Sequence, residues 1–267
     1  MTAPTDPRRA WLDWYRDMGA DEWIGEQAIN RLAPAPEAPL PAPAAPPAGR
    51  ADDPPGPRQP RLITPTPAVD AAEDARTVAA ACRSIDELRD ALERFEGCSL
   101  RDTAMRLCFA DGNPSSDLML IGESPGAEED RQGKPFVGPS GQLLDRMLAT
   151  IGRDRTNSYI TNVIYWRPPG NRAPTQTELL VCQPFLERQI ELIRPRLIVF
   201  VGGIAARTLL GLREGVTRLR GRRFTYRSDQ LEIPALVTFH PAYLLRQPAN
   251  KRQSWRDLLT IRRLLQE

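Results

Sequence analysis

Leu118-Met119-Leu120-Ile121 runs directly into Gly122-Glu123-Ser124-Pro125-Gly126, and this switch from an apolar run to a glycine-proline turn decides the fold. A short apolar run closed by turn residues reads as a strand buried on both faces. Three further runs have the same form. Tyr159-Ile160-Thr161 leads into Asn162, Leu197 to Val201 leads into Gly202-Gly203, and Ala235-Leu236-Val237-Thr238 leads into Phe239-His240-Pro241. Helical patterns alternate with them, at about residues 140–151, 176–193, 203–211 and 250–266. Strand alternating with helix specifies an α/β fold with a mostly parallel sheet covered on both faces. Ligands of such sheets bind beyond the carboxyl ends of the strands. A carboxylate (Glu123), a carboxamide (Asn162) and the single imidazole of the chain (His240) are therefore expected to share one crevice.

Outward from these strands the chain divides by composition. Of its 27 prolines, 13 lie between Pro34 and Pro67, so residues 33–70 read as a semi-rigid Ala/Pro linker. Ahead of it, Trp11, Trp14, Tyr15, Met18, Trp23 and Ile24 recur near helical spacing. Residues 1–32 thus carry an aromatic helix, which either packs back on the main domain or lays its apolar face into a protein partner. The compact domain is expected over residues 71–267. Its first helix has a start signal in Ser84-Ile85-Asp86-Glu87, with Ser84 as N-cap and Glu87 closing a capping box.

Composition excludes several classes. A net charge of +2 says little about partners. Cys82, Cys98, Cys108 and Cys182 are too scattered for a disulfide framework. No stretch approaches the roughly 20 apolar residues of a membrane span, and acidic residues and tryptophans occupy the place of a signal sequence. The expectation is a soluble, cytoplasmic, monomeric protein.

The stretch Gly122 to Gly138 reads GESPGAEEDRQGKPFVG. It contains neither GxxxxGK[ST] nor GxGxxG, which speaks against nucleotide-triphosphate and dinucleotide sites. Its four acids (Glu123, Glu128, Glu129, Asp130) form either a solvated acidic loop or a catalytic one. Phe136 is either core or a platform for a planar base. Asn162 is a local turn former or a reader of a paired donor and acceptor. Arg167-Pro168-Pro169-Gly170-Asn171-Arg172 makes a rigid basic loop, and Gly202-Gly203 opens a helix whose amides face an anion. Beyond His240, Tyr243-Leu244-Leu245-Arg246 supplies an apolar wedge of the kind that enters a base stack. Arginines 218, 220, 222, 223 and 227 form a basic run that is either a solvated hairpin or a phosphate contact.

Taken jointly, GE-x-PG-x-x-ED, GKPFVG-x-x-GQLLD, TNV followed by RPPGNR-x-PT, and HPAYLL resemble the family 4 uracil-DNA glycosylases, from about Cys98 to the C-terminus. The resemblance implies a three-layer α/β/α fold and hydrolysis of the N-glycosidic bond of deoxyuridine in DNA. It assigns Glu123, Glu129 and His240 to catalysis. Gly122, Phe136 and Asn162 fall in the base pocket, where Ser124, also expected to bind substrate, departs from the alanine of many members; Arg167, Arg172, Tyr243, Leu244, Leu245 and Arg246, from the basic loop and the wedge, are expected on the DNA. The family also implies a 4Fe–4S cluster on four cysteines. This chain departs there: the four positions are Phe95, Cys98, Trp166 and Cys182. Cluster ligation calls for four thiolates, so Phe95 and Trp166 are expected to fill the cluster's volume and no cofactor or metal is expected. Two other readings stay open, a non-catalytic uracil-sensing scaffold and a glycosylase of the same fold for other deaminated bases.

Overall fold

The computed structural model describes residues 67–267. The aromatic segment 1–32 and most of the linker lie outside the described residues. The compact part begins a few residues earlier than expected, because α1 (Pro67–Ala81) takes up the end of the Pro-rich tract. Proline is suited to a first helical turn, where its missing N–H has no partner to lose. In α2 (Ile85–Arg94), the Ser84 hydroxyl accepts from the Glu87 N–H at 3.1 Å. The reciprocal half of the expected capping box is shifted by one residue: Glu87 accepts from the N–H of Arg83 at 2.7 Å. The helix ends at Arg94, with Phe95 extended, before Gly97 is reached.

Six strands form one sheet: β1 (Asp111–Gly112), β2 (Leu118–Gly122), β3 (Tyr159–Asn162), β4 (Leu197–Val201), β5 (Arg223–Arg227) and β6 (Glu232–Thr238), in the order β1-β3-β2-β4-β6-β5. The four apolar runs are the parallel centre, β3-β2-β4-β6. Antiparallel edges β1 and β5 are additions to the four-stranded sheet read from the sequence. Part of the basic run is now explained by β5. Arg223 and Arg227 are exposed on this edge strand, where charge discourages pairing with another sheet, and Arg227 pairs with Glu232 at 2.9 Å.

The connecting helices are α3 (Ala127–Gln132), α4 (Pro139–Ala149), α5 (Gln176–Ile193), α6 (Gly203–Leu210), α7 (Val216–Leu219), α8 (Pro241–Arg246) and α9 (Lys251–Gln266). Alternate strand residues point to opposite faces, which gives the domain two cores. Met119, Ile121, Ile198 and Phe200 pack with Leu88, Leu92 and Phe185 on one side. Leu120, Ile160, Val199 and Leu236 pack with Leu144, Leu148, Leu258 and Ile261 on the other. The result is the three-layer α/β/α arrangement. Asp257 of α9 ties the second layer to the sheet, accepting from Thr238 Oγ1 at 2.9 Å and Arg220 Nε at 3.1 Å. Arg220 of the basic run is therefore a structural residue.

Candidate active site

Parallel pairing puts the carboxyl ends of the four central strands side by side. Gly122 pairs with Asn162, and the amides of Val163 and Ile164 donate to the carbonyls of Gly122 and Glu123, both at 3.0 Å. On the other side the Gly202 N–H donates to Thr238 at 3.0 Å, two residues before His240. A cavity of about 450 Å³ opens over this edge. Glu123, Ser124, Phe136, Asn162, Tyr243, Arg246 and His240 all line it. The convergence expected from the sequence is present.

Asn162 is buried, and its side-chain Oδ1 has no hydrogen-bond partner. An orphaned buried carbonyl is costly, so it is an acceptor waiting for a donor. Gly122 makes room for it. A Cβ there would come within 2.3 Å of Asn162 Oδ1 and 2.5 Å of Phe136 Cζ.

Phe136 is held in the left-handed region at φ 55°, uncommon for a bulky residue. Three groups impose it. Arg155 donates to the carbonyls of Pro135, at 3.2 Å, and of Phe136. The Phe136 carbonyl also lies so close to Gly141 that a Cβ would meet it at 1.8 Å. Glu129 then accepts from the N–H groups of Val137 and Gly138, both at 2.9 Å, and from Gly126 at 3.1 Å. These bonds give Glu129 a structural task at the cavity it also lines. Its two oxygens are occupied by three backbone donors, stitching the Gly126 turn to the Phe136 corner.

Glu123 is the carboxylate left open. Burial raises its pKa, and the nearby Arg207 cation partly offsets this. His240 caps α8, its Nδ1 accepting from the Ala242 N–H at 3.2 Å. Burial pushes the imidazole down to about 4, the Arg246 cation adds to this, and Glu129 opposes it. The ring is neutral, and its one proton is on Nε2. It stands 5.4 Å from the Phe136 ring, roughly parallel to it.

One assignment on the DNA side also changes. Leu244 is only 1% exposed and belongs to the second core, so its side chain forms no part of a wedge; Leu245, at 42%, does project. Arg172 is held bidentate by Glu178 at 2.9 and 2.6 Å, which fixes the loop. Arg167 donates to Asn171 at 2.8 Å, and Asn171 itself lines the cavity. Asn171, Ser140 and Arg155 join the site without being expected from the sequence. The signal for Asn171 is its place in the RPPGNR motif. Arg155 leaves none, because its partners Asp111 and Phe136 are remote in the chain.

Residues 109–259 match the Uracil DNA glycosylase superfamily. A type-4 uracil-DNA glycosylase from Thermotoga maritima is 38% identical over 161 residues, 60% of this chain and 82% of that one. One from Archaeoglobus fulgidus is 36% identical over 169 residues, 62% of this chain and 85% of that one. The type-5 uracil-DNA glycosylase of Mycobacterium leprae is 33% identical over 132 residues, 43% of this chain and 57% of that one. Parallel strands that end in an open carboxylate, an unpaired carboxamide and a neutral imidazole thus lie within the segment that matches this family, and the chain is a member of the uracil-DNA glycosylase superfamily.

Proposed function

We propose that this protein is a uracil-DNA glycosylase of base-excision repair, releasing uracil from DNA and leaving an abasic site. The observation that carries the reading is the unpaired Asn162 carbonyl, buried on a cavity it shares with His240 and Glu123. Uracil supplies what that carbonyl lacks, an N3–H donor, while the Asn162 NH₂ donates to O4. The nucleotide leaves the duplex at a cost of a few kcal/mol, least for a mispaired base. Phe136 stacks on the extruded ring, and the backbone at Gly122 and Ser124 closes against it.

The C1′–N1 bond then breaks, its electron pair leaving with uracil and a cationic sugar remaining. His240 Nε2–H donates to uracil O2, where negative charge develops. Such an aimed donor is worth about 2.7–4 kcal/mol. Glu123 stabilises the sugar cation and orients water for attack at C1′, as carboxylates do in glycoside hydrolysis. Leu245 and Arg246, beyond His240, face the DNA, with Leu245 filling the vacated stack.

This chemistry runs without an iron–sulfur cluster. Type-4 relatives imply one, but the residues here do not fit it. Phe95 packs edge-on against Phe185 at 5.2 Å and covers Gly97, while Trp166 packs against Tyr165 at 6.5 Å. Both share the first core with Cys98 and Cys182. These two thiols interact with each other; their hydrogen bond lowers Cys98 and, together with burial, raises Cys182. Two thiols among packed aromatics cannot replace four thiolates.

A single-uracil oligonucleotide treated with the protein and then alkali tests the function. Strand scission at the uracil is expected, and an Asn162→Ala variant should lose both rate and discrimination against thymine and cytosine. An intact strand with wild-type protein would refute the assignment.

A further inference from the structure

A second cavity, of about 580 Å³, is lined in part by Gln132, Gly133 and Lys134, just ahead of Phe136 in the chain. It is lined by Arg89 and Glu93 of α2, Arg101, Arg106 and Lys134, together with Phe109 and Trp166. Two of these cations are already engaged: Arg101 pairs loosely with Glu96 and Lys134 with Asp111, both at 3.7 Å. Among the described residues Arg89 and Arg106 have no ion-pair partner. The Arg89 guanidinium lies over the Phe109 ring at 5.4 Å. Below, the buried Asp130 carboxylate accepts the backbone N–H groups of Met105 and Arg106, at 2.7 and 3.3 Å. It pins the loop by its backbone, and the Arg106 side chain makes no ion pair among the described residues. Met105 stands on the rim at 73% exposure, the most exposed large apolar side chain of the described residues.

We propose that this cavity holds a backbone phosphate of the DNA strand that delivers uracil to the active site, with Met105 resting against the neighbouring nucleotide. The proposal rests on the glycosylase reading for its choice of strand. Arginines with no ion pair among the described residues, set on an open surface, suit a phosphate, and an exposed methionine beside them matches the apolar residues that lean on base steps. Spacing agrees. Lys134 and Phe136 are two residues apart, so their Cα atoms are within about 7.6 Å, close enough for one strand to reach both. A free mononucleotide fits less well, because Arg89, Arg106 and Lys134 are all exposed and none is buried to enclose it.

The test measures binding of full-length protein to a fluorescent duplex carrying a non-cleavable abasic analogue, across a salt series. The double variant Arg89→Gln/Arg106→Gln should bind more weakly, with the slope of log K against log salt shallower by about 0.9 for each phosphate no longer neutralised. Should that variant melt early, Arg106→Gln and Lys134→Gln, both at exposed side chains, give the same readout singly. An unchanged slope overturns the proposal. So does stoichiometric uptake of inorganic phosphate that the variants lose while their DNA slope stays that of wild type, which would make the cavity a free-anion site. Uracil release is scored separately: a wild-type protein that shows the arginine-dependent slope yet releases no uracil refutes the glycosylase reading and leaves the phosphate site in place.

Discussion

His240 is the chain's one histidine, so its titration is not mixed with that of another imidazole. Its folded pKa is depressed to about 4 from 6.5. Between these values the unfolded chain takes up a proton that the folded imidazole refuses, so stability rises with pH across that window. Above about 6.5 the contribution is fully present, and it is lost as pH falls toward about 4. Glu123 and Asp257, both raised by burial, titrate with the opposite sign in acid, so the difference between wild type and His240→Ala isolates the histidine. Denaturant unfolding at a series of acidic pH values should show the two proteins' stabilities drawing together as pH falls. The same substitution should lower turnover on uracil DNA by about 10²–10³, the worth of one donor aimed at a developing anion. Near neutrality the wild-type rate should show no imidazole ionisation. A rate that rises as the histidine is protonated would mean that the imidazolium, not Nε2–H of the neutral ring, serves the departing uracil.

At the scale of elements, the site depends on how two short loops are fastened. The α3 helix is six residues long, too short for intrinsic stability, and works as a carrier for Glu129 and Asp130. Glu129 joins the turn after β2 to the Phe136 corner, and Asp130 joins α3 to the loop before β1. Arg155 supplies the third fastening, reaching Asp111, Asp145 and the Phe136 carbonyl. Replacing Glu129 with Gln leaves at least one backbone N–H without its acceptor, which costs about 1–3 kcal/mol. Because the stitched corner presents Phe136, the loss should appear in urea midpoint and in KM for DNA together. Arg155→Met should act alike. Were Glu129 the catalytic carboxylate, kcat would collapse at unchanged stability, and that pattern would return it to the chemistry.

Across the whole molecule, the parallel centre and the crevice are legible because both are written in local order: apolar runs, each closed by a turn or polar residue. β1, at two residues, and β5, with one buried residue among five, carry no such signal and exist through pairing with β3 and β6. Leu244 reads as a wedge beside Leu245, but helical spacing turns one inward and the other out. The roles of Glu129 and Arg155 are hidden for a different reason, since their hydrogen-bond partners are brought together only by the fold. The cluster region mixes both cases: the missing cysteines are plain in the sequence, whereas what fills the space is a property of packing. There, Phe95, Trp166, Tyr165 and Phe185 pack as one core with α1 and α2. If these aromatics took over the cluster's structural task, removing one should open a void. Trp166→Ala should then destabilise the domain by about 3–5 kcal/mol, as large-to-small aromatic changes in cores do, and iron added during expression should not restore it. Wild-type protein should be colourless and contain no stoichiometric iron. A brown wild-type protein whose stability fell on chelation would show that Cys98 and Cys182 hold iron with other ligands, and that the aromatics are neighbours of a cluster and not its replacement.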